Sequence, residues 1–187
     1  MGLRTLCDHI VDIAQNAVES GTGKAWLDIE EHTDRFFRFT VRDVGRGIPE
    51  EFQESVLDPF YTQKNKKVKF GLGLPMLKFA ALSTGGEFEL KSSAGKGTTV
   101  SALFVLSHVD CQPIGDVAMA LFSIITMKGE IDWYIQRSLD DDGYAVESSQ
   151  FREALGNNCF TTPVKMKMIL DLLQEAENSL GGYSDVR

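Results

Sequence analysis

The chain has no apolar run near the ~18–20 residues that a membrane span requires, and its opening, MGLRTLCDHI, has charges where a secretory leader would carry a continuous apolar stretch. A cytoplasmic protein with no membrane partner is therefore expected. Cysteine is scarce: Cys7, Cys111 and Cys159 are far apart, odd in number and without a C-x-x-C pair. That pattern points to neither a zinc site nor a disulfide framework, and three reduced thiols are expected. Positive charge is also in deficit, with 19 Lys and Arg against 27 Asp and Glu, a formal net charge of −8. An acidic surface repels phosphate backbones, so no nucleic-acid partner is expected. Against this background one basic cluster stands out: Lys64, Lys66, Lys67 and Lys69.

What remains is a globular composition with helical and strand periodicities in turn. Leu6, Ile10, Ile13 and Ala17 recur at helical spacing within residues 3–20, and Gly21 suits a left-handed cap. Strands are expected over 25–30 and 36–42, then a turn at 43–47 and a short helix over 50–57 opened by Pro49. Residues 58–70 are polar and basic and read as a long functional loop. A helix over 74–82 and a hairpin of 88–91 with 99–106 follow. Paired strands flanked by helices, without strict alternation, indicate an α+β two-layer sandwich. Residues 108–187 read as a separate small α/β unit: an apolar helix at 117–127, a strand around Ile131, Trp133 and Ile135, a turn at 140–143, a strand over 144–149 and an amphipathic helix over 163–178.

Four short stretches carry candidate chemistry. Asp12 and Asn16 lie four apart on the first helix, on a face displaced from its apolar stripe. A carboxylate beside an amide oxygen suits Mg²⁺, although such pairs are also ordinary on a solvated face. Asp43-Val-Gly-Arg-Gly47 follows a strand; it is either a plain turn or a place where the backbone approaches a ligand and Asp43 accepts from an exocyclic amine. Asp58-Pro-Phe-Tyr-Thr-Gln-Lys64 leads to Gly71-Leu-Gly73 at a helix start, where backbone N–H groups make an anion site. Gly95-Lys-Gly97-Thr98-Thr99 caps a hairpin. It is not a Walker A loop, since Gly follows the Lys. Gly71 to Met76 likewise fails the dinucleotide fingerprint.

The order of these stretches resembles the GHKL ATPase superfamily (gyrase, Hsp90, histidine kinase, MutL), specifically a histidine-kinase-like ATP-binding domain over residues 1–107 without an H box. The resemblance implies a Bergerat fold, a mixed sheet with helices on one face, and ATP and Mg²⁺ as cofactors. By it, Asn16 binds the metal and Asp12 stands where ATPase branches keep a glutamate base, one methylene shorter. Asp43 takes the adenine amine, Gly45 and Gly47 line the base, Phe60 closes the pocket, Lys64, Gly71, Leu72 and Gly73 form the lid, and Thr98 supports the adenine contact. The chain departs from sensor kinases at Lys69-Phe70, where Gly-Thr is usual, and none of His9, His32 and His108 has the setting of a phosphoacceptor. The implied function is a regulatory Mg-ATP-binding protein acting on a protein partner, by phosphoryl transfer. The alternatives are an ATP-hydrolysing switch and a non-catalytic ATP sensor.

Overall fold

A computed structural model describes residues 3–59, 72–127 and 131–180. The first helix, α1 (Leu6–Glu19), begins later than its periodicity implies because Thr5 caps it. The Thr5 hydroxyl accepts from Asp8 N–H while the Asp8 carboxylate accepts from Thr5 N–H, a reciprocal capping box. Its buried face carries Leu6, Ile10, Ile13, Ala14 and Ala17.

Strands β1 (Lys24–His32) and β2 (Phe36–Asp43) pair antiparallel. A short α2 (Glu50–Gln53) and a 3₁₀ turn (Ser55–Leu57) stand where one helix over 50–57 is expected. Helix α3 (Gly73–Ser83) leads to β3 (Glu87–Ser93) and β4 (Gly97–Val105), an antiparallel hairpin longer than its apolar residues alone indicate. Helix α4 (Val117–Ile125), strands β5 (Asp132–Leu139) and β6 (Asp142–Glu147), and helices α5 (Ser148–Leu155) and α6 (Pro163–Ser179) complete the described chain. Helix α5 has no counterpart among the sequence expectations. Its stretch S-S-Q-F-R-E-A-L packs against β5 and β6 with only Ser148 fully buried, so its apolar period is faint.

The six strands form one open mixed sheet in the order β3-β4-β2-β1-β5-β6. Every pairing is antiparallel except β1 with β5. Ala25, Leu27 and Ile29 of β1, Phe37, Phe39 and Val41 of β2, Val100, Ala102 and Phe104 of β4, and Trp133 and Ile135 of β5 all point to one face and join the helices in one core. The alternate positions, including Trp26, Arg42 and Tyr134, lie on the other, partly exposed face. The fold is thus the expected α+β sandwich. The boundary expected at 107/108 falls in the connection between β4 and α4, and the sheet continues across it: Ala25 sits opposite Trp133 and Leu27 opposite Ile135. A β-branched and aromatic strand such as β5 buries its inward side chains by pairing with β1 instead of forming its own layer.

The three thiols are free. Cys7 is buried, and burial pushes its thiol up to about 12, which leaves it inert as a nucleophile. No helix among the described residues is long and apolar enough to cross a membrane.

Candidate nucleotide-binding site

The C-terminal end of α1, the end of β2 and the β3–β4 turn meet around Asp43. This side chain is 6% exposed, and one carboxylate oxygen accepts from Ser20 Oγ at 3.0 Å and from Gly45 N–H at 2.8 Å. Burial raises its pKa, against the lowering effect of the bonds from Gly45, Ser20 and the Thr98 backbone. A carboxylate in such a setting is oriented by its protein donors and keeps acceptor capacity for a ligand.

Close backbone packing makes this corner possible. Gly97, at φ +97°, brings β4 so near the end of β2 that a Cβ would fall 2.0 Å from Asp43 O. Gly47, at φ +65°, approaches the Ser93 carbonyl equally closely. Both positions need glycine for conformation and for space.

A cleft of about 100 Å³ opens here, and four of the residues singled out from sequence line it: Asn16, Asp43, Gly47 and Thr98. Its apolar walls are Ile13, Val41, Ile48, Leu74 and Val100. Gly45 stands behind Asp43 as a backbone donor and is not on the cleft wall. The Thr98 hydroxyl is bonded to Ser92 Oγ at 2.9 Å, so its backbone, not its side chain, serves Asp43. Sequence reasoning missed Ser20, although it lies four residues after Asn16 on the same helix face, and it missed Arg46 and Leu74 within motifs already noted.

Further along α1, Asp12 meets the start of α3. A Cβ on Gly73 would lie 1.7 Å from Asp12 Oδ2, so only glycine lets that carboxyl rest on the helix N-terminus. Such a terminus offers unpaired N–H groups to an anion. Burial raises the Asp12 pKa, with His9 opposing and Glu19 reinforcing the shift. Leu72 precedes Gly73 and is half exposed. Phe60, Lys64 and Gly71 lie outside the described residues.

The arrangement has a direction. Asp43 and Ser20 mark one end, Asn16 the middle, and Asp12 with Gly73 the other, about 12 Å away for eight helical residues. An apolar slot ending in a buried acceptor suits a flat heterocycle bearing an amine, and the helix terminus at the opposite end suits phosphate.

Comparison with known proteins agrees. The family model "Histidine kinase-, DNA gyrase B-, and HSP90-like ATPase" matches residues 2–108. The sensor kinase CckA of Brucella abortus is 43% identical over 61 residues, covering 33% of this chain and 6% of that protein. Sensor histidine kinase WalK of Bacillus subtilis is 31% identical over 99 residues, covering 50% of this chain and 16% of its own length. The chain therefore spans a small fraction of the curated relatives it matches. A solved N-terminal domain of a DNA repair protein superposes with a TM-score of 0.53 at 12% identity, over 82% of this chain and 57% of that one, which supports the fold alone. With the cleft, the glycine contacts and the family match in agreement, the chain belongs to the histidine kinase-, DNA gyrase B- and HSP90-like ATPase family.

Proposed function

We propose that the cleft binds Mg-ATP and that the bound nucleotide serves phosphoryl transfer to a protein partner in kinase-type signalling. The observation that carries the nucleotide reading is Asp43: a buried carboxylate held by Ser20 and Gly45 at the end of an apolar slot, which can accept from an adenine amine. Mg²⁺ takes oxygen ligands, and the exposed Asn16 amide, one turn from the Asp12 carboxyl, offers them beside the cleft. The ion supplies charge neutralisation on the phosphates when bound. The chain's own residues align the base at Asp43, exclude water along Ile13, Val41 and Val100, and present the α3 terminus to anionic oxygens. The sensor-kinase relatives favour transfer over other uses of the nucleotide.

A second reading, hydrolysis, is favoured by one contact: Asp12 rests on Gly73 at the phosphate end, where a base would reach a water. Titration calorimetry with Mg-ATP tests the site. Binding is expected for the wild type and its loss for Asn16→Ala, with the circular dichroism spectrum unchanged; an unaltered affinity would remove Asn16 from the site. Single turnover with γ-labelled ATP then separates the readings: label on a protein partner supports transfer, free phosphate released at a rate slowed by Asp12→Asn supports hydrolysis, and intact bound ATP refutes both.

A further inference from the structure

Helix α6 lies beyond the family-matched segment and carries more apolar surface than the core takes up. Ile169 and Leu173 are buried and join the core. Val164, Met168 and Leu172 do not: they are 71%, 46% and 52% exposed. Their spacing of four places them in one stripe, about 12 Å from first to last and about a third of a turn round the helix from the buried pair. A single exposed apolar residue is ordinary, whereas three in line on one helix face mark a surface that something covers.

The charges beside the stripe say what fits it. Lys167 and Asp171 lie together on one flank, both exposed, with Nζ 2.6 Å from the Asp171 carboxylate. The helix is basic in its first half, with Lys165 and Lys167, and acidic in its second, with Asp171, Glu175 and Glu177. A second α6 laid antiparallel brings each basic half against an acidic half, while a parallel one brings like against like. A two-fold antiparallel pair also sets each flank against the same flank of its copy. With the axis level with Ile169, Lys167 stands opposite Asp171 of the second copy. In that register Leu172 falls between Met168 and Val164 of the second copy, and the six side chains alternate along the seam in steps of about 3 Å, two residues of helical rise. Side chains that alternate interdigitate instead of colliding.

We propose that the stripe of Val164, Met168 and Leu172 is the surface by which two copies of this chain pair antiparallel, with Lys167 and Asp171 fixing the register. The contact is short beside a standard interface of ~800 Å² per partner, so the pair is reversible and forms between about 10 μM and 1 mM. The nucleotide cleft is lined from α1, β2, α3 and β4 and has no wall on this face, so pairing and ATP binding stand or fall separately.

Sedimentation equilibrium of the full chain from ~1 μM to ~1 mM tests the proposal. The wild type is expected to pass from monomer to dimer and no further, because a two-fold contact closes on itself. Met168→Glu places two carboxylates at the centre of the seam and should raise the dissociation constant at least ~30-fold. Lys167→Glu sets like charges level at two symmetric places and should weaken pairing about fivefold. Adding Asp171→Lys to that variant exchanges the two charges and should restore the wild-type constant to within about twofold. All three positions are exposed, so the circular dichroism spectrum should not change. A wild type that stays monomeric at ~1 mM overturns the proposal and leaves the stripe to a different protein. A dimer that Met168→Glu leaves intact overturns it as well, and so does a charge exchange that fails to recover what Lys167→Glu lost. If Met168→Glu unfolds, the two charge variants decide the matter.

Discussion

Two polar clusters sit at opposite ends of β1, and they differ in how far their bonding capacity is used. At one end, Asp43 is oriented by Ser20 and Gly45 yet borders an open cleft, and the Asn16 side chain has no hydrogen bond among the described residues. At the other, Arg137 is 3% exposed with an acceptor at each of its three nitrogens: Nη2 donates to Glu31 at 2.5 Å, Nη1 to Ser138 O at 2.7 Å, and Nε to Glu177 at 3.3 Å. Tyr144 adds a hydroxyl to Glu177 at 2.5 Å, and burial pushes its phenol upward. The Arg137 cluster also borders a hollow, lined by Glu31, Arg137 and Glu177, so what separates the two is that its charges are already paired with one another, an arrangement that holds structure, while the Asp43 end keeps acceptors free for a ligand. The Arg137 cluster joins β1, β5 and α6, so it ties the family-matched part of the chain to the part beyond it.

The largest effect is expected from breaking the Arg137 cluster. Arg137→Leu strands two glutamates away from their counter-charge, which costs about 3–5 kcal/mol. Urea unfolding should show that loss in a single transition, because one sheet runs through both parts. Two separate transitions would mean that residues after 108 fold as an independent unit.

The unsaturated cluster should respond in the opposite sense. Asp43→Asn places amide hydrogens where an adenine amine must donate, and a weakening of at least ~100-fold in ATP affinity is expected, about 2.7 kcal/mol. The apo fold should not suffer. The folded-state pKa of Asp43 is raised, so the native state holds its proton more tightly than the unfolded chain, and stability falls as pH rises from the unfolded value through the folded one. Removing that buried charge relieves the cost at neutral pH, and calorimetric melting should show an equal or higher Tm. A lower Tm at pH 7 would place Asp43 among the structural groups.

A smaller change comes from pH alone. As pH falls through the raised Asp43 pKa, the carboxyl becomes a donor and ATP affinity should weaken. Binding isotherms across that range test this. An affinity that is flat in pH would remove Asp43 from the base-recognition role.

The same contrast explains what could be read from sequence. Asp12, Asn16, Asp43, Gly47, Gly73 and Thr98 are short-range signals: a ligand site needs special backbone and particular polar groups at fixed local offsets, and these show in one strand–turn or one helix face. Gly73 was legible as part of a helix start, but its contact with Asp12 joins residues 61 positions apart, which no local pattern records. The Arg137 network is illegible for the same reason, since Glu31, Arg137 and Glu177 are ordinary surface charges until β5 pairs parallel with β1. The pairing of β5 with β1 across the 107/108 boundary is likewise absent from the sequence, because hydrophobic periodicity identifies strands without saying which neighbour they pair with.

The mildest test concerns the junction between the two regions at the start of α1. Thr5→Ala removes the hydroxyl that accepts from Asp8 N–H, a cap worth about 1 kcal/mol. The Leu6 and Cys7 N–H groups keep the Pro113 and Ile114 carbonyls, so the first turn should stay in place and ATP affinity should remain within about threefold. A larger loss of affinity, measured alongside only the expected loss in unfolding free energy, would show that these two carbonyls do not hold α1 by themselves. The cap would then be part of what aims Asp12 and Asn16 at the cleft, and the junction would belong with the unsaturated cluster instead of the Arg137 one.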